Sequence, residues 1–314
     1  MPGPPEAAAR PTPATTPGSE MPTAVAVMAR AGGENFPVAS RVLPRPIRAH
    51  LLAIYGFARL TDELGDDTAG DRLAHLDWLE AEVERARRGE ATHPLLARLA
   101  PTLALPDLPH GCFRDLIEAN RRDQVVHRYA TFGDLLDYCR LSANPVGRLV
   151  LAVLGATTPQ REAWSDQVCS ALQVIEHLQD VAEDLERGRV YLPAEDLERF
   201  GCSEADLASS TAGPALRGVV ALQAARSRAL LDAGVPLTAS LSGRARLAVA
   251  GFVAGGRAAL DAIERADFDV VGVACRPAPA AMARNLLQVL AARKAPAPGV
   301  ATAGAAPQHG GGHQ

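Results

Sequence analysis

The 314-residue sequence has no apolar run approaching the roughly 20 residues needed to cross a bilayer. The nearest candidate, "LAVAGFVAGG" (247–256), is short and flanked by Arg244, Arg246 and Arg257. Paired cysteines are missing too. The five at positions 112, 139, 169, 202 and 275 form no CxxC and no metal-ligand spacing, which argues against a zinc module and leaves reduced cytosolic thiols as the plain reading. There is no basic excess. A net charge of −4 argues against a nucleic-acid partner, which usually needs a basic face. Strand-like alternation is nearly absent, and no G-x-G-x-x-G follows a strand, so nothing marks a dinucleotide site. The N-terminal "MPGPPEAAARPTPATTPGSEMP" has no apolar h-region and does not read as a signal peptide.

What is present is helix-forming. Hydrophobic residues make up 47 % and charged residues 22 %, ordinary for a globular chain, and Ala, Leu and Arg dominate over β-branched clusters. Composition predicts disordered tails at 1–32, rich in Pro and Ala, and at 294–314, rich in Ala, Pro, Gly and His. Between them, 33–293 reads as one all-α domain without repeat or linker. Apolar spacing predicts helices at 45–64, 70–88, 92–100, 111–123, 131–139, 144–154, 160–186, 193–198, 203–208, 212–233, 240–265 and 278–293. "SANP" (142–145) and "GRVYLP" (188–193) break the pattern. The expectation is a single-domain helical bundle.

Two stretches carry acids at helical spacing. In the first, Leu51, Tyr55, Ala58, Asp62 and Asp66 share a stripe, with Arg59 beside it and Glu63 between the two aspartates. Ala53, Phe57 and Leu60 make the opposite side apolar as well, so the acids should face an interior or a cavity. In the second, Gln173, Glu176, Asp180 and Asp184 fall on one helix face opposite Val174, Leu178, Val181 and Leu185. Like charges four residues apart destabilise a helix, and buried carboxylates cost several kcal/mol each when unpaired. Either stretch alone also fits a solvated helix end or face. Together they fit hard-cation ligation, because Mg²⁺ takes one or two carboxylates, several waters and substrate phosphate oxygens. Such ions neutralise the charge of a departing diphosphate.

"FARLTDELGDD" and "QDVAEDLERGRVYLP" resemble the two aspartate-rich motifs of the squalene/phytoene synthase family, the head-to-head class of isoprenoid synthases. The family's DDxxD, after an Arg, is here Asp62-Glu63-Leu64-Gly65-Asp66 after Arg59. Its DxxxD followed by Gly-Arg-x-Tyr is here Asp180 and Asp184, then Gly188, Arg189 and Tyr191. The similarity runs from about Glu34 to Arg293. "ENFPVASRVLP" (34–44) and "YATFGDLLDYCRLSANPVGRLVL" (129–151) are similar to its hydroxysqualene-forming branch. Two positions depart from the other branches. Glu176 stands for an amide that helps hold metal, and Gln179 for an Arg that supports phosphates, a loss that Arg59, Arg148 or Arg189 would have to offset.

The resemblance implies an isoprenoid synthase-type bundle with a central cavity. The implied reaction is ionisation of presqualene diphosphate and capture of the cation by water. It implies Mg²⁺ held by Asp62, Glu63, Asp66, Glu176, Asp180 and Asp184, and no NADPH. Asn35, Arg41, Arg59, Asn144, Arg148, Gln173, Arg189 and Tyr191 would bind substrate. Arg59, Tyr129 and Glu176 would act on it, with Glu176 or Tyr129 orienting the water. Each also has an ordinary structural reading: Tyr129 as a core residue at a helix start, Asn144 as an N-cap, Arg41 as a surface charge. His50 and His177 read as packed or surface residues, and Trp78 and Trp164 as packing. The partner is a small isoprenoid diphosphate. The location is cytoplasmic with loose peripheral membrane contact, since substrate and product are apolar, and product would be handed over among squalene-pathway enzymes. Two alternatives stay open: a synthase condensing two prenyl diphosphates to presqualene diphosphate or phytoene, and a non-catalytic helical lipid-binding protein.

Overall fold

In a computed structural model, which describes residues 21–29 and 42–291, the chain is helical throughout. The first half holds α1 (Ala24–Ala29), α2 (Arg45–Asp66), α3 (Arg72–Arg87), α4 (Pro94–Leu103), α5 (Gly111–Arg122), α6 (Phe132–Ser142) and α7 (Asn144–Val153). The second holds α8 (Pro159–Gln179), α9 (Val181–Glu186), α10 (Ala194–Phe200), α11 (Glu204–Leu207), α12 (Pro214–Gly234), α13 (Pro236–Ser240), α14 (Gly243–Arg265) and α15 (Pro279–Ala291). Among the described residues the only β pairing is a single parallel bridge between Arg128 and Val190.

Local chemistry sets the helix starts. Asp71 caps α3 by accepting from the Ala74 amide at 3.0 Å, and Thr158 caps α8 by accepting from the Arg161 amide at 3.2 Å. Thr131 and Asp134 form a reciprocal capping box at the start of α6. Proline occupies the first turn of α2, α4, α7, α8, α12 and α13, where its missing N–H leaves no helical bond unmade.

Two apolar cores organise the bundle. One joins α2 to α3, α4 and α5 through Phe57, Leu60, Leu64, Leu79, Leu96 and Phe113, the two Phe rings meeting edge to face at 5.1 Å. The other joins α8 to α12 and α14 through Ile175, Leu178, Val220, Leu231, Val253 and Leu260. Fully burying such a side chain contributes about 1.5–3 kcal/mol. The small residues of "LAVAGFVAGG" let α14 lie close to α8, and a Cβ on Gly256 would come within 2.8 Å of Leu172 Cδ2. The five cysteines are free.

The sequence reading differs from the structure in three places. Residues 24–29, assigned by composition to the tail, form α1, whose Val27 is only 1 % exposed against the first core. The other parts of both predicted tails lie outside the described residues. The helix predicted over 160–186 breaks at Asp180 (φ −109°, ψ 16°), where two like-charge pairs, Glu176–Asp180 and Asp180–Asp184, share a residue that a straight helix would stack at one-turn spacing. The short α13 was not predicted. Among the described residues no helix is long and apolar enough to cross a membrane.

Candidate active site

Between the two cores lies a cavity of about 480 Å³, in the range of small-molecule sites. Both acidic stripes face it. Leu51, Tyr55, Ala58, Asp62 and Asp66 line it from α2, and Gln173, Glu176, Asp180 and Asp184 from α8 and α9. Its two ends differ in chemistry. Arg59, Arg187 and Arg189 stand with the acids, whereas Ile54, Val150, Leu151, Leu237, Val249 and Phe252 form an apolar wall.

The acids lack full compensation. Burial pushes Asp62 up to about 6, against the opposing charge of Arg59 at 3.7 Å and a hydrogen bond donated by Asn120 Nδ2 at 3.4 Å. Half of its side-chain surface still faces the cavity, at 49 % exposure, so this carboxylate is walled in by protein but reachable by water. Burial, then the neighbouring charges of Asp184 and Glu183, pushes Asp180 up to about 6 as well. Asp66 is held differently. Arg189 Nη2 donates to its Oδ1 at 2.6 Å, joining the first motif to the second. Asp184 Oδ2 is buried without a hydrogen-bond partner, and His177 Nδ1 is the cation-capable group 3.4 Å away.

Hard oxygen donors, an orphaned buried carboxylate oxygen and two carboxylates driven up by uncompensated burial fit a divalent cation. Among the described residues no three His, Cys, Asp or Glu side chains converge to hold an ion unaided. The set on the two walls therefore suits a metal that completes its shell with water and phosphate.

Not every residue singled out in the sequence reaches the cavity. Tyr129 does not line it. Its ring is 2 % exposed, lies behind Tyr191 with centroids 5.6 Å apart, and its buried hydroxyl has no partner. Arg148 turns away to form a two-point pair with Asp166, at 3.1 and 2.7 Å. Asn144 is buried at the α7 start and accepts from Ser170 Oγ at 3.0 Å. Glu63 lies off the cavity wall. Asn35 and Arg41 fall outside the described residues. Gln179 also points elsewhere, donating to the Cys275 carbonyl at 2.6 Å, so Arg59, Arg187 and Arg189 supply the positive charge. His50 packs as expected, with Nδ1 2.9 Å from Thr102 Oγ1.

Other residues stand in the cavity wall that sequence reasoning passed over. Asp123, at the C-cap of α5, is 5 % exposed and takes hydrogen bonds from the hydroxyls of Tyr138 (2.6 Å) and Tyr191 (3.1 Å). Burial drives its carboxyl above the ordinary range despite both bonds. His177 stacks on the Tyr191 ring at 3.6 Å and meets Gln173 Nε2 at 3.1 Å through its own Nε2. Asp123 and Tyr138 lie in segments whose apolar spacing reads as plain amphipathic helix. Only the tertiary approach of α5 and α6 to the second motif brings them together.

Gly65 permits one such approach. A Cβ there would lie 2.3 Å from Asn120 Oδ1, so a side chain at this position would force Asn120 to move from its place between α2 and α5. Gly65→Ala is expected to cost about 1–3 kcal/mol by overpacking and to displace the amide that donates to Asp62. Urea unfolding checks the first effect. Magnesium titration in the presence of a diphosphate analogue checks the second, and an unshifted midpoint in both would refute it.

A family model described as squalene/phytoene synthase matches residues 29–293. The chain is 39 % identical to a hydroxysqualene synthase of Rhodopseudomonas palustris, over 66 % of this chain and 71 % of that one. It is 35 % identical to a 15-cis-phytoene synthase of Synechococcus elongatus, over 76 % and 82 %. Among solved structures it is similar to the squalene synthase HpnC from Alicyclobacillus acidocaldarius, with a TM-score of 0.71 and 45 % identity, covering 77 % of this chain and 92 % of that one.

Proposed function

This chain belongs to the squalene/phytoene synthase family of head-to-head prenyl diphosphate enzymes, and from that membership we propose that it converts presqualene diphosphate and water to hydroxysqualene and diphosphate. The observation that carries the reading is one cavity with two carboxylate walls at its charged end and an aliphatic wall at the other. A diphosphate joined to long apolar chains has the same division.

Asp62, Asp180 and Asp184, with the free oxygen of Asp66 and with Glu176, would hold magnesium. When bound, the ions offset the charge that develops on the departing diphosphate. Arg59, Arg187 and Arg189 bind the diphosphate oxygens from the same end, without the planar support that an Arg at position 179 would add. The Arg189–Asp66 bond fixes the distance between the two motifs before substrate arrives. The apolar wall orders the isoprenoid chains and excludes all but a few waters, which matters because a carbocation reacts with any nucleophile it meets. The Tyr138 ring, which lines the cavity, stabilises positive charge beside it.

Water capture needs no hydride, so turnover should proceed with Mg²⁺ and without a nicotinamide. Incubation of synthetic presqualene diphosphate with the protein and Mg²⁺ in heavy-oxygen water should place the label in the product hydroxyl, read by mass spectrometry of the lipid extract. Squalene as the main product, or turnover only with NADPH, would move the chain to the reductive branch. The phytoene synthase of Synechococcus elongatus favours a second reading, because its similarity extends over 76 % of this chain, against 66 % for the hydroxysqualene synthase of Rhodopseudomonas palustris. Accumulation of presqualene diphosphate or phytoene from prenyl diphosphates alone would select it. The same apolar product supports a cytoplasmic protein in loose contact with a membrane, handing its product to the next squalene-pathway enzyme.

A further inference from the structure

We propose that Asp123 is the positioning residue for water capture: it fixes the hydroxyl directions of Tyr138 and Tyr191 so that Tyr138 presents a lone pair, not a hydrogen, to the nucleophilic water. The inference rests on the hydroxysqualene reading and assigns the water-orienting role that the sequence left between Glu176 and Tyr129. Tyr129 lies behind the cavity wall, and Glu176 is exposed among the metal-facing acids at its charged end. A third polar group in the wall is the triad of Asp123, Tyr138 and Tyr191, all three lining the cavity and none more than 6 % exposed.

The geometry is specific. Tyr138 donates to Asp123 Oδ2 at 2.6 Å, the length of a charge-assisted bond, and Tyr191 donates to Oδ1 at 3.1 Å. A carboxylate can only accept, so both phenolic hydrogens are committed to it and both phenolic oxygens are left with acceptor capacity alone. A water at Tyr138 must then donate one hydrogen to that oxygen, which turns its own lone pairs toward the cavity. Packing locks the ring in place: its centroid lies 5.5 Å from those of both Tyr129 and Tyr191.

The step balances without a redox partner. Diphosphate has already left with the electron pair of its C–O bond. The water lone pair forms the new C–O bond, and one water O–H bond breaks. That proton passes to the Tyr138 oxygen as the phenolic proton of Tyr138 passes to Asp123 Oδ2, so the phenol ends neutral. Burial raises the proton affinity of Asp123 above that of an ordinary carboxylate, as an acceptor in this role requires.

The test reads product partition rather than rate, because a merely structural residue would lower all products together. Asp123→Asn keeps the shape, but its amide donates to one tyrosine and cannot take a proton. Wild type, Asp123→Asn and Tyr138→Phe are incubated with presqualene diphosphate and Mg²⁺, and hydroxysqualene is measured as a fraction of all C30 products. The fraction is expected to fall about tenfold or more in both variants, with eliminated or rearranged hydrocarbons and other alcohols taking its place, and Asp123→Glu should restore part of it. If Asp123→Asn does not fold, Tyr138→Phe decides alone. An unchanged fraction in the folded variants overturns the inference while leaving the hydroxysqualene reading intact. A wild-type protein that forms no hydroxysqualene overturns both.

Discussion

Asp180→Asn is expected to lower turnover by about a hundredfold or more, the size of effect that follows removal of one group that stabilises transition-state charge. The same variant, free of metal, is expected to melt higher than wild type at pH 7.5. Both results follow from one carboxylate held at about 6 by burial and by Asp184 and Glu183. In the unfolded chain an Asp titrates near 3.9. Below that pH the side chain is protonated in both states and costs nothing. As pH rises toward about 6 the unfolded chain ionises first, so wild type loses stability through this window and carries the full cost above it. Asparagine has no charge to bury. Its advantage in melting temperature therefore spans a few degrees at pH 7.5 and closes near pH 4, a difference that scanning fluorimetry with EDTA reads directly. Normal turnover by the folded variant would remove Asp180 from the metal site, and a melting difference independent of pH would remove the buried charge as its cause.

Arg189→Ala should produce the largest loss of stability. Arg189 is 7 % exposed, and its guanidinium donates to Asp66 at 2.6 Å, across the gap between α2 and the segment after α9. Removing one partner of a buried pair leaves the other charge uncompensated and costs about 3–5 kcal/mol. The loss should be mostly recovered when Asp66→Asn is added, because the double variant buries no lone carboxylate. Chemical denaturation of the four proteins closes this cycle, and additive single effects would show that the pair is not coupled. Turnover should stay low in both backgrounds, since each lacks a group from the charged end of the cavity.

Much of this site could be read from periodicity. The stripe Leu51–Tyr55–Ala58–Asp62–Asp66 and the stripe Gln173–Glu176–Asp180–Asp184 are one-helix patterns, and all nine residues line the cavity. Helical spacing reports which residues share a face, so it succeeds where a site is built from two helix faces. It fails for residues placed by packing between elements. Tyr129 stood at a legible helix start, yet the approach of the 190s segment puts Tyr191 in front of it. Arg148 had the charge to bind phosphate, but Asp166 on the adjacent α8 claims it. Asp123 looked like an ordinary C-terminal polar residue until α6 and the second motif brought two hydroxyls to it. The break at Asp180 could have been suspected from its two repelling pairs, but no Gly or Pro marks it.

The position of the cavity between two separate apolar cores has an evolutionary consequence. Leu51, Leu151, Leu237 and Val249, which line the cavity, belong to small separate clusters, whereas Ile54 is part of the first core. Substitutions at those four wall positions therefore draw little on the two cores that keep the domain folded, while changes at Ile54 draw on one of them directly. A lineage with this architecture can change which hydrocarbon it accommodates, and where a cation is quenched, while each intermediate sequence stays above the threshold for folding.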